Sequence, residues 1–276
     1  MNLVWAILIT AGAVCVSVTA MLFVRRRAPA GSYFSDGDRA SGVFGVLATG
    51  FSVLLGFIVF LSFTSYDQSR SGAESEALIV TQQVETAQLL PSPIARELTA
   101  DLVCYARSVV RREWPQMRNG TLREGFNPWA VAMFRTIQSY EPVSNRQQAA
   151  YGQWLSQTSA REEARRDRIH GAVGVIPTSV WIVLFLIGAV IFAYMLFFAD
   201  PQEGAGTQAM LMGAVTVVIV GLFLVIEALD TPFHPGVGGL EPVAMERATG
   251  NIDNALALIG GNIRIPCNAA GTEVQS

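Results

Sequence analysis

The sequence has little charge and few of the residues that usually carry chemistry. Only 15% of its 276 residues are charged, compared with about 25% in an ordinary soluble domain. Lysine is absent, so all 19 basic residues are arginines, and the formal net charge is −3. This balance excludes a general nucleic-acid binder, which would carry a strongly basic surface. Three cysteines are too few for a disulfide scaffold.

Motifs for catalysis and metal binding are also missing. The two histidines, His170 and His234, lie far apart, and no cysteine cluster accompanies them. The sequence contains no zinc-ligand spacing, phosphate-binding loop, nucleotide fingerprint or nucleophile elbow. We therefore expect neither a catalytic site nor a metal or cofactor, and we do not expect an enzyme.

Long apolar segments are what the sequence does have, and 51% of its residues are hydrophobic. Four segments reach the about 20 residues that a helix needs to cross the hydrocarbon core of a bilayer, where the backbone must be hydrogen-bonded within the segment. The first is followed, not preceded, by arginines, which favours an uncleaved helix over a signal peptide. The predicted spans cover residues 2–24, 42–64, 176–199 and 204–226.

Residues 65–175, between the second and third spans, are soluble in character and nearly neutral, with 13 arginines and 12 acids. Apolar residues at steps of three and four continue the second span as a helix as far as Ala87. Pro91 and Pro93 interrupt it, and further helices are predicted to follow. The sequence thus predicts an all-α membrane protein, with a helical soluble domain inserted between spans two and three. In the tail, residues 230–276, we expect a short amphipathic helix over 243–259 and disorder after Pro266.

Arginine positions leave the membrane orientation open. The loop between the first two spans and the soluble domain are separated by one crossing, so only one of them can be cytoplasmic. Arginines close to the membrane mark the cytoplasmic side. The loop has four, and the flanks of the domain have five: Arg70, Arg161, Arg165, Arg166 and Arg168.

Short motifs occur in a specific order between about residues 42 and 250. They are Tyr66-Asp67 with Glu76-Ala77, Tyr105-Ala106-Arg107 with Glu113-Trp114-Pro115, an arginine-rich helix before Pro177 and Trp181, and Leu229-Asp230-Thr231-Pro232-Phe233. In this order they resemble the bestrophin-like family of uncharacterised bacterial integral membrane proteins. The resemblance implies kinship with bestrophins, which are oligomeric anion channels with four spans and a cytoplasmic helical region between spans two and three. It therefore favours a bacterial inner-membrane protein with a cytoplasmic central domain. His234-Pro235 departs from the family, in which a glycine is more usual.

Three phenylalanines of the second span, Phe57, Phe60 and Phe63, follow one another at steps of three. Contributed by several subunits, they would form a hydrophobic gate that conducts only when wetted. Packing against lipid or a neighbouring helix is the alternative.

A set of polar or amphipathic residues lies on otherwise apolar helices, and a buried acid among them needs a partner. We expect a network of acids and arginines that holds the helical domain together. The arginine-rich helix pairs opposite charges at three- and four-residue spacing, which favours a solvated, self-paired helix; lipid-headgroup binding and an anion-concentrating vestibule are the alternatives. We expect Asp230, beyond the fourth span, to pair with an arginine of that helix, an ion or proton site being the other interpretation. The candidates are Tyr66, Glu76, Tyr105, Glu113, Trp114, Arg161, Arg165, Arg166, Asp230 and Phe233.

Two of the cysteines, Cys104 and Cys267, are predicted on the same side of the membrane. Topology therefore allows a disulfide if that side is oxidising. Otherwise Cys104 is a small buried apolar residue.

Together these features favour a homo-oligomeric membrane protein that conducts ions, inorganic anions above all, along an axis lined by the second span. The alternative is a non-conducting membrane scaffold or sensor whose helical domain binds a protein partner. The lipid bilayer and further copies of the chain are the expected partners, and nucleic acid is not.

Overall fold

Apolar helices and amphipathic helices alternate along the chain in blocks. The computed structural model describes residues 3–29, 33–122, 125–259 and 263–274. A π-helical turn, Val109–Glu113, joins the third helix to the fourth, and a short 3-10 turn, Gly171–Val173, follows the sixth. The helices are α1 (Leu3–Arg25), α2 (Gly37–Ala87), α3 (Ser92–Ser108), α4 (Trp114–Arg118), α5 (Pro128–Gln138), α6 (Asn145–His170), α7 (Thr178–Phe197), α8 (Ala205–Asp230) and α9 (Val243–Ile259).

Four of the described helices, α1, α2, α7 and α8, are long and apolar enough to cross a membrane. The mean hydropathy of their most apolar windows runs from 2.4 to 2.8. The prediction of an all-helical chain with four long apolar helices is therefore confirmed. Helix α2 has 51 residues, because the heptad pattern of its apolar and small residues continues beyond the lipid-spanning part.

One compact unit, unit 1, consists of Met1–Tyr66 and Gly174–Gly239. Its core packs Phe51, Leu55 and Ile58 of α2 against buried leucine and isoleucine side chains of α7 and α8. Helix α1 lies along α8, where the Ser17 and Thr216 hydroxyls are 2.8 Å apart. Each hydroxyl also contacts a backbone carbonyl of its own helix, Ser17 that of Val14 and Thr216 that of Met212, so both are hydrogen-bonded.

The other compact unit, unit 2, consists of Asp67–Val173 and Leu240–Ser276. Its core is built around α3, of which Leu98, Leu102 and Tyr105 are fully buried. Helix α2 approaches α6 backbone to backbone at Gly72, where a Cβ atom would lie 2.5 Å from the amide nitrogen of Arg168. The Asn127 side chain accepts a hydrogen bond from the Trp129 amide at 3.0 Å and thereby caps α5.

The C-terminal tail is built into unit 2, so the expectation of disorder after Pro266 is wrong for the described residues. Cys267 forms a disulfide with Cys104 of α3, and the Trp129 indole donates a hydrogen bond to the Gly271 carbonyl at 2.8 Å. Gly271 has a positive φ of 71°, and a side chain there would overlap the backbone of Ser108. Sequence composition did not reveal these contacts, because the tail is polar and gains its structure from long-range partners. Ahead of it, α9 covers the range in which an amphipathic helix was predicted.

Candidate functional site

Helix α2 has two opposite faces in unit 1, each with the seven-residue repeat of a packed helix. The buried face runs through Phe51, Leu55, Ile58, Ser62 and Ser65. The opposite side is exposed and includes Val46 and Val53, at 75% and 54% exposure. Beside them runs a stripe of residues that follow one another at steps of four and three. It comprises Gly45, Thr49, Ser52, Gly56, Phe60 and Phe63, and we call it the exposed α2 face.

Side-chain size changes abruptly along the exposed α2 face. Four small residues, two of them with hydroxyl groups, precede the phenylalanines. Phe60 is 65% exposed and Phe63 is 53% exposed, and Phe57, beside them on the same side of the helix, is 65% exposed. The structure therefore places the three candidate gate residues on one surface and keeps Phe51, which is 4% exposed, in the core.

A buried ionic network lies in unit 2, at the junction of α2, α3 and α6. The Arg168 guanidinium donates to both carboxylate oxygens of Glu76 and, at 2.6 Å, to Oε2 of Glu113. Arg165 donates to Oε1 of Glu113 at 3.0 Å, and the Tyr105 hydroxyl donates to Oε1 of Glu76 at 2.5 Å. Two guanidinium groups thus balance two carboxylates away from water.

Further side chains complete the hydrogen bonding of this network. The Asn127 amide donates to Oε1 of Glu113 at 3.0 Å. The Arg168 guanidinium lies 5.7 Å from the ring centre of Trp114, whose indole nitrogen donates to the Leu240 carbonyl at 3.1 Å. Cations over aromatic faces gain electrostatic stabilisation.

The charges of the network keep each other ionised. Burial raises the pKa of a carboxyl group, but at Glu113 the charges and hydrogen bonds of Arg168 and Arg165 outweigh it and lower the pKa to about 2. Burial lowers the pKa of Arg168, yet the neighbouring carboxylates raise it above its ordinary value. Burial, and then the charge of Glu76, raises the pKa of Tyr105 well above 10, so its hydroxyl remains a donor. Glu113 and the two arginines that bind it therefore remain charged at neutral pH.

The arginine-rich helix is more buried than the solvated helix that its charge spacing favours. Arg161 and Arg168 are at most 1% exposed and Arg165 is 8% exposed, whereas Arg166 faces solvent. Arg161 donates to the Gln83 side chain at 2.8 Å and lies 4.8 Å from the Tyr105 ring centre. Three of these arginines therefore pair inside unit 2, which removes them from any vestibule.

Asp230 has a different partner from the arginine that was expected. Its Oδ1 accepts hydrogen bonds from the amides of Val175 and Ile176, at 2.7 and 3.0 Å. The carboxylate thus caps the approach to α7 and joins it to the end of α8, all within unit 1. Phe233, three residues on, is buried, and the Tyr66 hydroxyl donates to the Gly238 carbonyl at 3.0 Å.

Sequence reasoning identified Glu76 but missed three other buried polar side chains on the same stripe of α2, although one signal could have found them. Ser62, Ser69, Glu76 and Gln83 recur every seven residues along α2, and all four are fully buried. Polar residues repeated at one heptad position indicate a helix face that packs through hydrogen bonds. Ser69, Glu76 and Gln83 have such partners, whereas the buried Ser62 hydroxyl has none among the described residues. The Ser69 hydroxyl, for example, accepts from the Gly171 amide at 3.1 Å. Within the described ranges, no group of three histidine, cysteine or acidic residues is arranged to hold a metal.

Comparison with known proteins places this architecture in a family. The Bestrophin-like domain model matches residues 11–244. A bestrophin homolog from Klebsiella pneumoniae has a TM-score of 0.67 at 14% identity, with 95% of this chain and 100% of that chain covered. A point variant of such a homolog has a TM-score of 0.66 at 13% identity, covering 92% and 98%. A point variant described as a membrane protein has a TM-score of 0.69 at 14% identity, covering 91% and 99%.

Identities this low establish the fold alone, and no curated protein is significantly similar to the chain. The family model, however, matches most of the sequence, including the second span, the network residues and Asp230. This chain is a membrane protein that belongs to the bestrophin-like family.

Proposed function

We propose that the chain assembles into a homo-oligomeric ion channel in the inner membrane of a bacterium. The exposed α2 face would line the pore. The observation that carries this proposal is the pattern of α2 itself, which is buried on one face within unit 1 and opposite to it carries small residues followed by phenylalanines. Membership of the bestrophin family, which is known for channels and not for enzymes, supports it.

The side chains of the exposed α2 face suit an ion pathway with one narrow section. Around a central axis, Gly45, Thr49, Ser52 and Gly56 would leave room for hydrated ions and would offer hydroxyl groups to them. Phe57, Phe60 and Phe63 would then form a hydrophobic constriction, which resists water and ions until it widens. Anions are the proposed cargo because the bestrophin family is one of anion channels.

Unit 2 has a structural part in this proposal. Residues 65–175 would form a helical domain outside the lipid, and the ion pairs of Glu76 and Glu113 with Arg165 and Arg168 would hold its helices in register. A buried, neutralised network favours one packing arrangement over others. We therefore assign Tyr105, Glu113 and Trp114 to the scaffold of the domain and not to the ion path.

Oligomeric state and ion flux test the proposal together. The purified full-length chain should be larger than a monomer by light scattering in detergent, and liposomes that contain it should release chloride. A monomer without flux at any pH or calcium concentration would overturn the channel and favour the non-conducting scaffold or sensor.

Substitution of the phenylalanines tests the constriction itself. Changing Phe57, Phe60 and Phe63 to alanine should raise the basal chloride leak, because the narrow section widens. The matched control is an alanine triple on α7, at residues that are 58–61% exposed: Ile182, Phe185 and Leu186. Equal flux from the two triples would dismiss the gate.

A further inference from the structure

Cys104 and Cys267 form a disulfide within unit 2, across a sequence separation of 163 residues. Cys104 is fully buried on α3, beside Tyr105, and Cys267 is 6% exposed. The bond therefore lies in the packed interior of the unit, where it fastens the tail to the central helix.

Other contacts hold Cys267 opposite Cys104. The Asn268 side chain accepts hydrogen bonds from the amides of Ala270 and Thr272, at 2.9 and 3.1 Å. A β-bridge pairs Cys267 with Glu273, and Trp129 holds the Gly271 carbonyl. The tail residues 263–274 thus have a defined turn that presents the Cys267 sulfur to α3.

Formation of this bond requires an oxidant. The two thiols give up two protons and two electrons to a disulfide of a partner protein or small molecule, which is itself reduced to two thiols by thiol–disulfide exchange. Oxidising compartments outside the plasma membrane supply such disulfides, whereas thiol buffers inside the cell keep cysteines reduced.

The number of crossings then relates this bond to the rest of the chain. Cys104 and Cys267 are separated in sequence by α7 and α8, and two crossings return the chain to the side on which it began. The loop between α1 and α2 lies one crossing away, on the opposite side. That loop is short and carries Arg25, Arg26, Arg27 and Arg39. Arginines of short loops mark the cytoplasmic side, while long domains are translocated largely regardless of charge.

We infer that unit 2 and the tail face the oxidising compartment outside the plasma membrane, with the disulfide fastening the tail there. The buried cysteine pair carries this assignment, and the four arginines of the α1–α2 loop are consistent with it, although the flanks of the domain carry five. The family resemblance alone favours the cytoplasmic side, so the inference reverses that expectation. It stands whether or not the protein conducts ions.

Peptide mapping tests the bond in the full-length protein. Membranes are treated with an alkylating reagent at harvest, and the protein is digested with trypsin without reduction. Peptides 97–107 and 265–276, which contain Cys104 and Cys267, should appear joined and should separate on reduction. Recovery of both peptides alkylated before any reduction would overturn the inference.

Site-directed labelling tests the side of the membrane while the disulfide remains intact. In a Cys15→Ser background, which removes the free thiol, Val274→Cys places a thiol in the tail, where the native side chain is 55% exposed. Gln202→Cys is the matched control, exposed in the α7–α8 loop on the other side. A membrane-impermeant maleimide applied to cells with a sealed plasma membrane and a permeabilised outer layer should label Val274→Cys fully. It should label Gln202→Cys only after the plasma membrane is opened. The reverse pattern would place unit 2 in the cytoplasm and overturn the inference.

Discussion

Replacing Arg168 by methionine removes the cation at the centre of the buried network while keeping most of the side-chain volume. Arg168 is 0% exposed and pairs with both Glu76 and Glu113. Among the residues that the structure describes, Glu76 then keeps only the Tyr105 hydroxyl, and Glu113 keeps Arg165 and Asn127. One buried carboxylate is then left without a counter-charge.

The expected cost follows from this loss. Breaking a buried ion pair by removing one partner destabilises a protein by about 3–5 kcal/mol. In a domain of this size each kcal/mol lowers the melting temperature by about 2–4 °C, so Arg168→Met should lower it by roughly 6–20 °C. Adding Glu76→Gln removes the orphaned charge and should restore part of the stability, by about 0.5–3 kcal/mol.

Thermal unfolding of the full-length chain in detergent, followed by circular dichroism, measures these shifts. Arg166→Met is the matched control, because Arg166 lies on the same helix but faces solvent. Its substitution should change the free energy of unfolding by no more than about 0.5 kcal/mol. The reasoning is refuted if Arg168→Met and Arg166→Met have the same melting temperature. It is also refuted if adding Glu76→Gln lowers the stability of Arg168→Met further.

Three further predictions concern packing, pH and capping. Gly72→Ala should destabilise unit 2, since its Cβ would lie 2.5 Å from one backbone atom of α6 and 2.7 Å from another. The control Gly56→Ala, whose Cβ would have no atom within 4 Å, should leave the melting temperature unchanged. Equal shifts of the melting temperature in the two variants would contradict the close approach of α2 to α6. Burial, and then a neighbouring glutamate, raises the pKa of Asp101 from 3.8 to about 7. The folded state therefore keeps a proton that the unfolded chain loses, and stability should fall as the pH rises from about 4 to 7; Asp101→Asn should abolish that fall in melting curves taken across this range, and an unchanged pH profile would contradict the assignment. Asp230→Ala should lower the melting temperature by leaving two amides without an acceptor, at about 1–3 kcal/mol, whereas Asp230→Asn, which keeps one acceptor oxygen, should cost less; the opposite ranking would exclude the capping role.

Composition and periodicity were enough to predict the helices, but not the side-chain contacts that join them. Apolar runs of sufficient length can only be helices in lipid, so the four long helices follow from local sequence. Arg165 and Arg168 show where local reasoning fails. Glu162 precedes Arg165 by three residues, which suggests a solvated, self-paired helix. The partners of Arg165 and Arg168 are instead Glu76 and Glu113, about 50 to 90 residues away in sequence. Only the fold brings these groups together.

The C-terminal part shows the same limit in another form. Polar composition after Pro266 is typical of disorder, but a covalent bond and a buried tryptophan contact outweigh composition. Asp230 was recognised as a special acid, and the error lay in its partner. Backbone amides carry no sequence signature, so a carboxylate that binds them cannot be distinguished beforehand from one that binds an arginine.

Helices α7 and α8 are tied to each other at both of their shared ends. Asp230 holds the amides that precede α7, and at the opposite end Arg25 and Gln208 donate to the Asp200 carbonyl in the connecting loop. Hydrogen bonds at both ends oppose separation of α7 and α8. We therefore expect the two helices to move as one rigid body. Any widening of a pore along α2 would therefore come from tilting or rotating that helix against the clamped pair, or from turning its phenylalanine rings.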